Sequence, residues 1–389
     1  MSPGNRPVNR IEALDGVRGF AVLAVLIFHT LPIPDAPSGL MFTVWNAIAK
    51  SCWIGVDLFF VLSGFLITRA LFAAKGKPDF FRDFYVSRIL RIAPLYIAVL
   101  LAALYVVPVL IPSDELPPLY GRLMKNQLWL WAFLQNYIQA RAPHQLPGFG
   151  HFWSLAVEEQ FYVVWPAVVL WFSRRWLVLS CLTICAVEPL ARFFFLAAGY
   201  STWAVRQLTF LRVDALLAGA VVYLLFRETA PGPTAVASLR TIAIASGAAL
   251  VWILARYKSL PYESQATVTI GYSAVAVAGA ALIRACLNHG PVSQLFSLKF
   301  LRWFGKYSYA IYIFSVPAIL CFQALFADRM GARHPFALAV TRLLFSGAVS
   351  VACALASWKL IEHPALNLKS RLILGHPIPS LAPVLSALK

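Results

Sequence analysis

Acidic residues are scarce in this chain. Asp and Glu total 16 of 389 residues against 33 Lys and Arg, and the four charged types together make up only 13%. A soluble domain carries about a quarter charged residues, so an ordinary water-facing surface is excluded. Cysteine is sparse and dispersed. Cys52, Cys181, Cys185, Cys286, Cys321 and Cys353 form no CxxC pair, which argues against a disulfide framework, a dithiol redox site and a zinc ribbon. Cys181 and Cys185 share a helix face and read as small apolar packing groups. No Walker loop and no GxGxxG occurs, so the glycine-rich phosphate cradles are missing. No internal repeat, low-complexity tract or metal-ligand cluster stands out, and no metal is expected.

What fills the chain is apolar sequence. Hydrophobic residues make up 60%, and the mean hydropathy is +0.73. Ten runs approach or reach the roughly 20 residues needed to cross a bilayer: about 14–31, 51–72, 91–111, 155–172, 176–198, 209–226, 240–256, 267–287, 307–326 and 337–360. The expected fold is therefore an all-α integral membrane protein, a bundle of about ten transmembrane helices. A single domain over 1–370 with a short cytoplasmic tail at 371–389 uses the chain up. The first run, preceded by Arg6 and Arg10, resembles a signal peptide; a non-cleaved anchor is expected. The stretch 113–150 is the longest outside the runs, and its WLWAFLQNY portion reads as interfacial or re-entrant.

The net charge of +17 suggests nucleic acid only if topology is ignored. Most Lys and Arg fall on one side of the ten runs, which places both termini in the cytoplasm and makes membrane lipid, not nucleic acid, the partner of many of them.

Ionisable groups inside these runs are costly in lipid and become functional candidates. Arg18 and His29 stand eleven residues apart in LDGVRGFAVLAVLIFHT. On a helix that spacing puts them about 20° apart on one face and roughly 17 Å apart along the axis. Asp57, Glu158 with Glu159, and Arg212 with Asp214 fall at the same outer depth as His29, so they are expected to line one outward-facing cavity. An imidazole beside a carboxylate is the minimum general-base arrangement, with Glu158 the first partner for His29 and Asp57 the second. Glu158 and Asp57 also read as helix N-terminal charges, Arg212 with Asp214 as a helix-end ion pair, and Glu188 with Arg192 as a structural pair. Trp153 is a candidate sugar platform or an interfacial belt residue. On the opposite side Arg88 and Arg91, at i and i+3 in SRILRIAPLY, form a candidate phosphate site near Arg18. A ligand joining the two faces needs an anionic head and an arm of about 17 Å, which acyl-coenzyme A possesses. The alternative class is a transporter or flippase of a lipid-linked or small anionic substrate; it is disfavoured because no paired halves are seen.

Seven segments in order resemble the acyltransferase-3 family of integral membrane O-acyltransferases: LDGVRGFAVLAVLIFH, GVDLFFVLSGFLIT, SRILRIAPLY, FWSLAVEEQFYVVWP, LRVDALLAGA, GKYSYAIYIFSVP and IEHPAL. The resemblance implies a cell (inner) membrane enzyme that moves acyl groups, commonly acetyl, from cytoplasmic acyl-CoA to hydroxyls of carbohydrates or glycosylated small molecules. It implies that His29 and Arg18 are essential, that Arg88 and Arg91 bind the donor and that Glu158 belongs to the active site; Asp57 joins the catalytic candidates as second partner of His29, and Arg18 and Ser63 are expected with the donor-binding residues. Trp153, Arg212 and Asp214 are expected on the acceptor side. One departure stands out: in GKYSYAIYIFSVP many members carry His where this chain has Ser315. No hydrolase domain of the SGNH type is seen after the bundle, and direct transfer is expected.

Overall fold

Lipid cannot hydrogen-bond an exposed peptide group, so the apolar runs close their own backbone bonds as helices. The computed structural model describes residues 11–33, 39–110, 120–226, 232–288, 290–326 and 335–374. The chain opens with α1 (Glu12–Thr30), α2 (Leu40–Ser51), α3 (Ile54–Ala74) and α4 (Phe80–Leu101), the last continuing through a π-turn at Ala102–Val106 into α5 (Val107–Leu110). Short helices α6 (Tyr120–Lys125), α7 (Gln127–Trp131) and α8 (Gln135–Arg141) lead to α9 (Trp153–Trp171) and α10 (Arg174–Ala197). Next come α11 (Thr202–Gln207), α12 (Val213–Phe226), α13 (Pro233–Tyr257) and, after a π-turn at Thr267–Gly271, α14 (Tyr272–Cys286). The chain then runs through α15 (Pro291–Phe296), α16 (Lys299–Phe326) and α17 (Pro335–Ser357), with a π-turn at Trp358–Glu362 before α18 (His363–Leu374). No strand occurs among the described residues.

Eight helical stretches among the described residues are long and apolar enough to cross a membrane. The two other expected runs also fold as helices, but by length and composition they are not in that set. α12 has 14 residues, and α9 carries Glu158, Glu159 and Gln160 near its middle. The physical reason is enclosure. Most of α12 is buried against protein on several sides, and α9 buries its first five residues, so neither must be apolar all round to avoid lipid. The WLWAFLQNY portion folds into α7 and α8. There Asn136 donates to the Gln207 carbonyl at 3.0 Å and to Thr209 at 2.9 Å, and Gln135 donates to the Phe152 carbonyl at 2.8 Å. Arg6, Arg10 and the tail from 375 lie outside the described residues, and α18 crosses residue 370.

Close helix approach organises the centre. α3 packs along α12, and α1 along α16. A Cβ on Gly64 would overlap the Leu216 carbonyl, and one on Gly219 would overlap the Val61 carbonyl. Gly19 and Gly305 stand in the same relation to Leu301 and Asp15. Small residues at these crossings let backbones touch, the usual source of helix association without a hydrophobic driving force. At the far end of α1 the Arg342 guanidinium donates to the Thr30 and Pro32 carbonyls at 2.6 and 2.8 Å. A cation on a helix C-terminus satisfies orphaned carbonyls and complements the dipole, and it anchors the turn that carries His29.

Charges buried in the bundle are paired. Arg192 of α10 meets Glu188 at 3.2 Å and Asp214 at 2.9 Å, and Ser273 donates to Asp214 at 2.5 Å. Removing one partner of such a network leaves an uncompensated charge, at about 3–5 kcal/mol. Two outcomes are expected in unfolding measurements on detergent-solubilised protein. Arg192→Met should destabilise by about 3 kcal/mol or more. Gly64→Ala should cost about 1–3 kcal/mol by forcing α3 and α12 apart, whereas Gly247→Ala, which meets open space, should be nearly silent.

Candidate active site

The helix starts and crossings above frame two cavities. The first, about 830 Å³ of empty space, is lined by Arg18, Ser63, Arg88, Arg91, Glu158, Tyr162, Tyr309 and Tyr312, with apolar walls from α3. The second, about 810 Å³, is lined by His29, Asp57, His151, Trp153, Arg206, Arg212, Tyr262, Tyr272 and Tyr312, among others. Val56 and Tyr312 line both, so the two cavities lie back to back. The unbroken α1 carries Arg18 into the first and His29 into the second, consistent with one helix face roughly 17 Å long.

The first cavity gathers three guanidiniums. Arg88 lies over the Phe84 and Tyr162 rings at 5.9 Å each, and its Nε is buried without a hydrogen-bond partner. Arg91 is 4.0 Å from Glu362, a carboxylate on the last π-turn that also accepts from Ser357 at 3.3 Å. Opposite the arginines, Tyr162 donates to Glu158 at 3.1 Å and is hydrogen-bonded to Ser63 at 2.5 Å. Planar guanidiniums present forked donors suited to phosphate oxygens. Arg18, Arg88, Arg91 and Ser63 thus share a cavity, as the sequence leads one to expect.

Glu158 does not stand beside His29; it lies in the first cavity with the arginines. The reason is helical geometry. Trp153, at the start of α9, faces the second cavity while Ser154 faces the first. Glu158 lies one turn beyond Ser154 on the same face, about 6 Å further along the axis. Asp57 does reach the second cavity, but its Oδ1 accepts from Arg212 Nη2 at 2.6 Å. The Arg212–Asp214 pair is likewise not formed. Arg212 and Asp214 are two residues apart at the entry to α12, about 200° of helical rotation, so Arg212 turns to Asp57 on α3 and Asp214 to Arg192 on α10. Asp214 lines neither cavity, because its carboxylate is taken by Arg192 and Ser273. The expected Glu188–Arg192 pair is present.

The second cavity holds several polar atoms that lack protein partners. His29 Nδ1, His151 Nδ1, Asp57 Oδ2, and Arg212 Nε and Nη1 are all buried without a hydrogen bond. Arg212 is stacked 3.8 Å from the Tyr272 ring centre. Arg206 lies over Tyr262 at 4.5 Å, Trp153 at 5.2 Å and Trp203 at 5.6 Å, so Trp153 is an aromatic wall of this cavity. Burial pushes the Tyr262 hydroxyl up to about 12, keeping it protonated at neutral pH.

Sequence reasoning passed over His151, Arg206, Tyr162, Tyr262, Tyr312 and Glu362. His151 opens HFWSLAVEEQFYVVWP but precedes the apolar run, so a search confined to intramembrane charges discounts it. Its signal was its place two residues before Trp153. Ser315 is buried and donates to the Tyr312 carbonyl of its own helix at 2.8 Å. It lines neither cavity.

A multi-pass membrane bundle whose interior splits into an arginine-lined cavity and an imidazole-bearing one defines a polytopic protein built around a polar ligand path. The chain belongs to the acyltransferase-3 family: the family profile described as "Acyltransferase domain" matches residues 11–359. It is similar to the peptidoglycan O-acetyltransferase OatA of Listeria monocytogenes, at 28% identity over 79% of this chain and 49% of that protein. It is also similar to the putative peptidoglycan O-acetyltransferase YrhL of Bacillus subtilis, at 30% identity over 80% of this chain and 49% of that one. The O-acetyltransferase OatA of Staphylococcus aureus is 24% identical over 91% of this chain and 57% of its own length. The chain therefore spans about half the length of the curated relatives it matches. No solved structure matches it.

The two-cavity arrangement predicts how the Asp57–Arg212 pair behaves. Arg212→Gln should cost about 3–5 kcal/mol in unfolding measurements by stranding Asp57. The double change Arg212→Gln with Asp57→Asn should recover part of that loss, since neither charge is then left alone.

Proposed function

We propose that the chain is a membrane O-acyltransferase. It takes an acyl group, acetyl first, from cytoplasmic acyl-CoA and delivers it to a hydroxyl of a carbohydrate or glycosylated acceptor. The observation that carries this reading is the pair of cavities sharing Val56 and Tyr312 as a common wall, three arginines in one and His29 in the other. The names of the relatives favour a cell-wall glycan as the acceptor, and the excess of Lys and Arg on one side of the runs supports a setting in the inner cell membrane with both termini cytoplasmic. No metal-binding cluster is found among the described residues, and the proposed chemistry uses none.

In this reading Arg18, Arg88 and Arg91 bind the donor's phosphates, with Ser63 and Glu158 in the same cavity. The pantetheine arm extends towards the shared wall and brings the thioester to the second cavity. The acceptor sugar lies against Trp153 and Arg206, and Arg212, held by Asp57, turns its unpaired N–H groups towards it. His29 takes the proton of the acceptor hydroxyl as the oxygen attacks the thioester carbonyl. The carbon–sulfur bond then breaks, and the CoA thiolate recovers a proton from the imidazolium.

Purified protein in detergent, given acetyl-CoA and soluble peptidoglycan fragments, should release free thiol and yield acetylated glycan. His29→Ala should lower this turnover by about 10²-fold or more while the protein stays folded; retained turnover would exclude the base role. Arg88→Ala combined with Arg91→Ala should raise the KM for acetyl-CoA while leaving the acceptor KM nearly unchanged. Unaltered acetyl-CoA binding in that variant would dismiss the phosphate site.

A further inference from the structure

A general base needs a partner that fixes its tautomer and steadies its charged form. No carboxylate fills that place at His29: Glu158 sits in the other cavity and Asp57 is engaged by Arg212. The nearest titratable ring is His151, on the turn before α9, with ring centres 6.2 Å apart and planes at 78°.

The tautomer of His151 follows from its contacts. Its Nε2 lies 3.3 Å from the Ile313 carbonyl oxygen of α16. A carbonyl only accepts, so Nε2 carries the hydrogen. Burial, reinforced by the neighbouring His29, pushes His151 down to about 3, so the ring is neutral and has a single N–H. Its Nδ1 is therefore a lone pair. That atom is buried without a partner, and so is His29 Nδ1. Two orphaned nitrogens on adjacent rings are complementary if one carries hydrogen and the other does not. His151 cannot be the donor, so His29 must be.

We propose that His151 is the positioning residue of His29. It accepts the His29 Nδ1–H, directly after a small ring rotation or through one water, and so leaves His29 Nε2 as the base that meets the acceptor hydroxyl. This rests on the reading of His29 as the base. The proton of the acceptor hydroxyl passes to His29 Nε2, the oxygen bonds to the thioester carbon, the carbon–sulfur bond breaks, and the thiolate takes the proton from Nε2. The His29 Nδ1–H stays throughout, its bond to His151 strengthening while the imidazolium exists. A neutral imidazole partner suits this cavity, because Arg206 already supplies a positive charge and the Asp57–Arg212 pair is internally balanced. The remaining polar groups lining it (Tyr262, Tyr272 and Tyr312) are neutral hydroxyls.

The test compares His151→Phe, which removes the lone pair, with His151→Asn, which returns a carbonyl oxygen near the place of Nδ1. In the acetyl-CoA assay with peptidoglycan fragments, His151→Phe should lose about 10²-fold in kcat with the acetyl-CoA KM unchanged. The acid limb of its kcat/KM profile should move to lower pH, since the imidazolium of His29 loses its acceptor. His151→Asn should regain much of both. An unshifted limb, or Asn and Phe variants equally impaired, would overturn the proposal. Nitrogen-15 NMR of histidine-labelled protein, with the His29 signals assigned from His29→Ala, reads the same point without turnover and without any His151 variant. Hydrogen on His29 Nδ1 is expected, and hydrogen on Nε2 would sink the idea. Turnover retained in His29→Ala would instead reject the base reading itself, a failure separate from this one.

Discussion

A bilayer interior offers no water to a charged side chain, and that constraint organises this bundle. Each buried charge must find its counter-charge on a neighbouring helix. Asp57 does so with Arg212 and Asp214 with Arg192, which Glu188 of the same helix also meets. Those pairs tie α3 to the entry of α12, and α12 to α10, so they hold in place the helices that wall the cavities. Polar atoms of His29, Asp57, Arg88, His151 and Arg212 that escape the pairing lie at the cavities, where a ligand or water can satisfy them.

The position of the wall between the cavities follows from a few residues. Tyr312 donates to the His151 carbonyl at 2.6 Å and is hydrogen-bonded to Ser154 at 2.6 Å, locking α16 to the first turn of α9. Val56 completes the wall from α3. A phosphate-bearing ligand and a sugar would thus be kept in separate compartments that touch at one place. That separation suits a reaction whose donor must be shielded from hydrolysis by water from the other side.

Family membership and architecture agree without either standing in for the other. The match over residues 11–359 covers all but the last stretch of the described chain. The relatives share about half their length or somewhat more with it. Two local features stand out. Ser315 is turned back on its own helix, and a second imidazole stands beside His29 from a different element, the turn before α9.

Hydropathy and helical period were enough to establish an all-helical membrane bundle and the Arg18 and His29 stripe, because each depends only on neighbours along one helix; of the ten expected runs, eight lie in helices of membrane-crossing length among the described residues. The Arg88 and Arg91 pair was legible for the same reason. Depth in the membrane could be read in part, which is how Asp57 and Arg212 were placed with His29, although Glu158 and Asp214, assigned the same depth, line no common cavity with it. Rotation of one helix against another could not. One turn along α9 carries Glu158 across the wall, and about 200° at the entry to α12 sends Arg212 and Asp214 to different partners. Partner choice among charges at equal depth, and the meeting of His151 with His29, depend on where glycines such as Gly64 and Gly219 let backbones touch. Those contacts join residues far apart in sequence, so only the packed bundle decides them.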